Sequence, residues 1–481
     1  MNFTSIVFLF FFFPITIFIY YGIQLVLRNR LSVQNAAGKL LLILFSIFFF
    51  AWADKNLLLW FLLYMFLVFL TGQVISCLTV QKHRLCVHIL GIITIIGILF
   101  FYKYYNFTVE LITQTKDSAF ALKNITVPAG ISFITFSSVS YLTDIYRREA
   151  AGGNLLDVML YLSFFPKLLS GPIVRWKDFS GQLSERKVND TTFLYGINRL
   201  MIGFSKKILL ADTFGQVIHD IMAQVNGKGI DCPTSWGCAF LYMMQIYYDF
   251  AGYSDIAIGL SSLFGFQFKE NFHFPYISQS VSEFWRRWHM SLGSFFREYI
   301  YIPLGGNRKG FSRTLMNLGI VFLITGIWHG AGLNFLWWGI LNGACVILER
   351  CIRNTDFYQK IPSPVKWLLT MLIVLFSWQL FRFSTIKEFT DYLDIMTGAV
   401  ICEDITYTWS YFFTWKIRIY LILAAAGATV FALPFTKKIV LWSNTKKTGL
   451  ILKEVVLLLL MIWSVITMVN STYSPFLYFQ Y

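Results

Sequence analysis

The chain has 481 residues, 57% of them hydrophobic and 14% charged, with a formal charge of +15 and a mean hydropathy of +0.61. Soluble proteins carry about 25% charged residues, so these values exclude a soluble globular protein and predict an all-α polytopic membrane protein. The excess Lys and Arg falls in short clusters between apolar runs, the pattern that orients a multi-span protein, and forms no single patch suited to nucleic acid.

A bilayer core about 30 Å thick needs about 20 apolar residues per helix. Runs at 3–27, 40–53, 57–80, 85–102, 129–143, 193–211, 236–264, 315–348, 366–383, 417–435 and 450–470 fit this requirement, with 40–53 and 129–143 on the short side. The first run has no basic residue before it and Arg28 and Arg30 after it, which predicts a retained span with the N-terminus outside. Lys39, the pair Lys82 and Arg84, and the basic residues of 144–190 mark further cytoplasmic loops. Lys437, Lys438, Lys446 and Lys447 place the last loop inside and the C-terminus outside. The piece 155–172 is apolar but interrupted by Pro166, Lys167 and Gly171-Pro172, and reads as a re-entrant or interfacial hairpin.

Charge also divides one long run. Both 269–313 and 349–366 are basic and belong inside, yet a single apolar run, 315–348, separates them. Its 34 residues would make about 50 Å of helix, more than one crossing needs. The run is therefore expected to cross twice or to dip and return, breaking near His329-Gly330-Ala331-Gly332 and leaving His329 at a cavity.

The chemistry-bearing residues lie between 245 and 338. Val281, Phe284, Trp285, Trp288, Leu292, Phe295 and Tyr299 recur at helical spacing, which predicts one amphipathic helix at the cytoplasmic interface. Trp285 and Trp288 are donor-pocket candidates on its apolar stripe, and His289 sits at the border of its two faces. There His289 either fills a boundary position or stands at the mouth of a site. His329 is an ionisable side chain inside an apolar run, which marks functional sites by default. Burial favours the neutral imidazole, which can take a proton from a hydroxyl; the bland reading is a core histidine bonded to a carbonyl. Gly326, Gly330 and Gly332 leave room beside it for a substrate or another helix, and Asn334 could orient it.

Asp249 and Asp255 lie six residues apart in one run, on different helix faces. As intramembrane carboxylates they are expected to pair, with Lys206 and Lys207 or with Arg286 and Arg287, and to brace the helices. Arg308 and Lys309 follow Gly305-Gly306 in a cytoplasmic turn, where they either meet the phosphates of an acyl carrier or simply obey the charge rule. The aromatic end, finishing at Tyr481, is either an interfacial belt or a tail that returns its hydroxyl to the outer cavity. The seven cysteines (77, 86, 232, 238, 345, 351, 402) include no Cys-x-x-Cys pair and no zinc spacing, so no metal is expected.

Six stretches carry a family resemblance: FFPKLLSGPIVR (164–175), YYDFAGYSDIAIGL (247–260), NFHFPYISQSVSEFWRRWHMSL (271–292), YIPLGGNRKG (301–310), WHGAGLNFLWWG (328–339) and the STYSPFLYFQY end. They are similar to the membrane-bound O-acyltransferases (MBOAT), and most closely to the alginate O-acetylation branch. The resemblance implies a single membrane-embedded domain, with a catalytic core at about 160–345, C-terminal spans over 366–470 and an outer tail at 471–481. It also implies a ring of about 11–12 transmembrane helices around a central catalytic region.

The family's membrane-embedded catalytic histidine maps onto His329, and the histidine of its RWHMS motif onto His289. No cofactor would be bound; a cytoplasmic thioester, acetyl-CoA in this branch, would serve as co-substrate. The acceptor would be a hydroxyl of an extracytoplasmic glycan, with an esterase-like extracytoplasmic partner completing the handover. In the related teichoic-acid D-alanylation system a partner's C-terminal tyrosine carries the acyl group, which makes Tyr481 a relay candidate. The competing expectations are a D-alanyl transferase fed by a carrier-protein thioester and, from another class, an exporter of an acylated glycan precursor.

Overall fold

A computed structural model of the chain describes residues 1–113, 122–184, 186, 188–225, 229–402, 405 and 407–470. Among them there are helices and turns but no strand. The chain groups into two compact units, Met1–Leu200 with Ile256–Lys269, and Met201–Asp255 with Glu270–Tyr481.

The first unit holds α1 (Phe13–Val26, continuing a π turn at Phe8–Phe12), α2 (Leu31–Ala53), α3 (Leu58–Cys77), α4 (Gln81–Thr113), α5 (Ile131–Tyr146), α6 (Leu155–Ser163), α7 (Phe165–Leu168) and α8 (Trp176–Ser180). The boundary at 200 falls within α9 (Asp190–Ser205). Helix α2 begins nine residues before the apolar run that predicted it, running through the polar turns at Gln34 and Lys39. Lys39 then reaches Asp157 of α6 at 2.5 Å. Arg84 is buried and donates to the carbonyls of Ile75, Ile145 and Tyr146, closing the C-terminal ends of α3 and α5. The interrupted piece at 155–172 breaks at Phe164 between α6 and α7, as its proline demands.

The second unit continues α9 through a π-helical stretch, Lys206–Asp212, into α10 (Thr213–Val225). It also holds the first part of α11 (Cys232–Leu263), then α12 (Val281–Arg287), α13 (Met290–Phe296), α14 (Phe311–His329), α15 (Leu333–Ile352), α16 (Asp356–Lys360) and α17 (Ser363–Arg382). After these come α18 (Ile386–Thr397), α19 (Trp409–Phe412), α20 (Trp415–Thr429), α21 (Pro434–Thr445) and α22 (Lys447–Asn470).

Nine helices among the described residues are long and apolar enough to cross a membrane: Phe8–Val26, α2, α3, α4, α14, α15, α17, Trp415–Ala432 and α22. Helices α5, α9 and α11, which the sequence also suggested as spans, fall outside that set. Helix α11 in particular carries Gln245, Asp249, Ser254, Asp255 and Ser261 along a buried length. The run at 315–348 resolves into α14 and α15, joined by residues 330–332. The break expected at His329-Gly330-Ala331-Gly332 is present, and two helices, each long and apolar enough to cross, replace one. Two crossings would put both flanking basic segments on the same side.

Candidate active site

Both histidines belong to the second unit, and one tryptophan touches both. The Trp328 ring lies 6.3 Å from the His289 imidazole and 4.8 Å from that of His329, measured between centroids.

His329 ends α14 and is 7% exposed. Trp338 of α15 meets its ring edge-on at 4.9 Å, and Phe381 of α17 does so at 5.1 Å. The glycines around it do not leave open space. A Cβ on Gly326 would fall 2.5 Å from the Phe335 carbonyl oxygen and 3.1 Å from the Cα of Gly339, so these glycines let α14 and α15 approach closely. At Gly330 the Phe335 ring fills the corresponding space, and at Gly332 the Asn334 amide oxygen does. Asn334 is buried and lies against that glycine.

The expected single helix from Val281 to Tyr299 is broken at the histidine. Helix α12 stops at Arg287, Trp288 is extended, and His289 takes a left-handed backbone (φ 46°) before α13 begins. Such a conformation costs a non-glycine residue about 1–3 kcal/mol, and the surroundings hold it there. Met290 N donates to the Asn271 carbonyl at 2.9 Å, and His273 N to the Arg287 carbonyl at 2.9 Å, pinning 271–273 against both sides of the break. The break turns His289 inward. It is 2% exposed, which corrects the reading of a boundary position on a continuous interfacial helix.

The His289 ring stands edge-on to Phe250 at 4.6 Å, and its Nδ1 lies 3.1 Å from the Asn271 side-chain oxygen. Burial away from water pushes its pKa down to about 3, so the ring is neutral at cellular pH. Asn271, Ser291 and Phe250 are contacts that sequence reasoning passed over. Asn271 stands in the quoted NFHFPY stretch, but a polar residue in a loop carries no periodicity to single it out.

Trp285 and Trp288 join an aromatic block with α15 and α17: Trp285 meets Trp338 at 5.4 Å, and Trp288 meets Trp378 at 4.8 Å. The indole N–H groups of Trp285 and Trp338 are buried without an acceptor among the described residues. A buried donor left so costs about 1–3 kcal/mol, and donors of this kind can stabilise an oxyanion that develops beside them. Sequence reasoning identified no oxyanion donors and did not reach α17, because Trp378 and Phe381 lie some forty residues beyond the last chemistry-bearing motif. Glu349 of α15 ties the block together by accepting from Ser282 N at 2.9 Å at the start of α12.

The carboxylates pair as their charge suggested. Lys206 reaches Asp255 at 2.7 Å, and Lys207 bonds Asp249 at 2.7 Å and also Asp212. Adjacent lysines on the π-helical stretch thus serve aspartates on two faces of α11. Arg287 pairs instead with Glu283, at 2.8 Å. Arg308 and Lys309 are exposed on the turn after Ile302, with Gly305 and Gly306 at φ 106° and 56° and Asn317 Nδ2 holding the Gly306 carbonyl at 2.9 Å. Tyr481 lies outside the described residues.

Comparison with known proteins shows the family of the chain. Residues 48–362 match the model of the MBOAT family, the membrane-bound O-acyltransferases. The chain is 38% identical over 393 residues to the probable alginate O-acetylase AlgI of Pseudomonas aeruginosa, covering 80% of this chain and 73% of that protein. It is 32% identical over 433 residues to the peptidoglycan O-acetyltransferase of Helicobacter pylori, covering 82% of this chain and 80% of that one. To the teichoic acid D-alanyltransferase of Bacillus subtilis it is 30% identical over 257 residues, covering 50% of this chain and 61% of that one. With residues 48–362 matching that family and nine helices among the described residues long and apolar enough to span a bilayer, the chain is a multi-pass membrane O-acyltransferase and belongs to the MBOAT family.

Proposed function

We propose that the protein moves an acetyl group from a cytoplasmic thioester, acetyl-CoA, to a hydroxyl of an extracytoplasmic polysaccharide or of a relay partner. The observation that carries this reading is the meeting of His289 and His329 at Trp328, with both imidazoles buried among aromatic rings. The His329 imidazole takes the proton of the acceptor hydroxyl, and the oxygen attacks the thioester carbonyl. Indole N–H groups of Trp285 and Trp338 receive the developing oxyanion. On collapse the C–S bond breaks, the ester forms, and the leaving thiolate takes the proton back from the imidazole. His289 holds the donor.

Helix α14 supports this division of labour. Its 19 residues make about 28 Å of helix between the basic turn, where Arg308 and Lys309 would meet the donor's phosphates, and His329 at the acceptor's end. Asp249 and Asp255 brace the helices. Reading the whole as one catalytic domain is supported by the family match, which runs through both compact units without interruption. The charge of the loops supports a reading with both termini outside, in which an esterase-like extracytoplasmic protein completes the transfer and Tyr481 is the relay candidate on this chain.

Acetyl is favoured over D-alanyl because the relatives named for O-acetylation cover about four-fifths of this chain, against half for the D-alanyltransferase. Purified protein in vesicles, offered acetyl-CoA or a D-alanyl carrier protein together with a glycan acceptor, tests both readings. Acetyl transfer that falls about 10²–10⁴-fold in His329→Ala, with insertion unchanged, is the expected result. Full transfer by that variant would overturn the mechanism, D-alanyl transfer would overturn the substrate, and transport of glycan without any transfer would favour an exporter.

A further inference from the structure

Asn271 is fully buried, and both ends of its side-chain amide are engaged. Its oxygen accepts from Ser291 N at 3.2 Å and Ser291 Oγ at 2.8 Å, and lies 3.1 Å from His289 Nδ1. Its nitrogen donates to Ser254 Oγ at 3.1 Å. A backbone N–H can only donate, so the atom facing Ser291 N is the amide oxygen, and the orientation of the amide is settled by the network. That oxygen can only accept. Ser291 Oγ also lies 3.4 Å from His289 Nδ1, but its shorter bond to the Asn271 oxygen takes the hydroxyl proton. The 3.1 Å contact between the Asn271 oxygen and the ring then puts a proton on Nδ1, and a neutral imidazole protonated there carries its lone pair on Nε2.

We propose that Asn271 is a positioning residue for the transfer: it holds His289 as the Nδ1–H tautomer, so that Nε2 accepts a hydrogen bond from an N–H or O–H of substrate. His289 then holds the donor as an acceptor and does not polarise the thioester carbonyl, which would need a donated proton. The proposal rests on the O-acyltransfer reading. Two further features support it. The ring stays neutral at cellular pH because burial holds its pKa near 3. His289 is also one of three non-glycine residues with positive φ among those described, and strained backbone persists where the surroundings specify one geometry.

The test begins with the whole protein in lipid bilayers, labelled with [15N]histidine and examined by solid-state NMR at neutral pH. His289→Gln identifies the signal. A neutral ring protonated on Nδ1 is expected; a ring protonated on Nε2, or an imidazolium, overturns the assignment. Because this measurement reads no activity, it separates failure of the tautomer from failure of the acetyl-transfer reading. The second arm is kinetic. Asn271→Asp keeps the acceptor and adds a charge that favours the imidazolium, so the acid limb of the pH–rate profile should move up by about 1–3 pH units, with activity recovered at alkaline pH. Asn271→Leu should lose at least about tenfold in kcat at every pH. An unmoved acid limb in Asn271→Asp, in a variant that inserts normally, would reduce Asn271 to a brace for the loop.

Discussion

Replacing Lys207 with methionine removes the cation shared by two carboxylates in the second unit. The Lys207 side chain is 1% exposed, that of Asp249 2% and that of Asp212 9%, so water does little to screen what remains. Removing one partner of a buried pair costs about 3–5 kcal/mol, because the partner left behind keeps an uncompensated charge. The neighbouring pair serves as the internal comparison. Lys206 is 30% exposed and serves a single carboxylate, Asp255, whose side chain is 5% exposed, so Lys206→Met strands one charge where Lys207→Met strands two and should cost less. Adding Asp212→Asn and Asp249→Asn to Lys207→Met takes away the stranded charges and should return most of the lost stability. Unfolding in mixed micelles, followed by tryptophan fluorescence, measures all of these variants against the parent. If Lys207→Met lost no more than Lys206→Met, the view that these ion pairs brace α11 against the π-helical stretch would be wrong.

Two more outcomes follow from the site. Gly339→Leu forces side-chain atoms into space where even a Cβ would lie 2.6 Å from the Phe322 carbonyl oxygen; overpacking should cost about 1–3 kcal/mol and shift His329, so that transfer falls further than the yield of inserted protein does. Stability should also depend on pH through His289, whose folded-state pKa is near 3 against an ordinary 6.5. Between those values the unfolded chain binds a proton that the folded one does not, so stability is full above 6.5 and falls on acidification by up to about 1.4 kcal/mol per pH unit. His289→Gln should flatten that part of the stability–pH curve, and an unchanged slope would mean that the ring is not desolvated.

Much of this molecule is legible in one dimension because lipid imposes a one-dimensional rule: a span must be apolar along its length, and the loops between spans alternate in side, with basic residues gathered on the cytoplasmic one. Those constraints located most of the helices. They also required the break at residues 330–332, since the charges at 269–313 and 349–366 could not otherwise lie on one side. Complementary charge was equally readable, and Lys206 and Lys207 meet Asp255 and Asp249 as expected. His329 stood out for the same reason, as an ionisable group where the solvent disfavours one.

Tertiary structure decided what local pattern could not. The apolar stripe from Val281 to Tyr299 continues unbroken through His289, so periodicity reads one helix. Backbone bonds from Met290 to the Asn271 carbonyl and from His273 to the Arg287 carbonyl hold the break that turns the imidazole inward. Glycines at 326 and 330 signal room without saying what fills it, and the fold fills it with α15 and Phe335. Composition at a single position marked Lys207, Asp249 and His329, whereas the tautomer of His289 and the aromatic walls from α17 depend on atoms brought together from distant stretches. A sequence records which groups cannot remain exposed to lipid; which partners they then find is set only when the chain has packed.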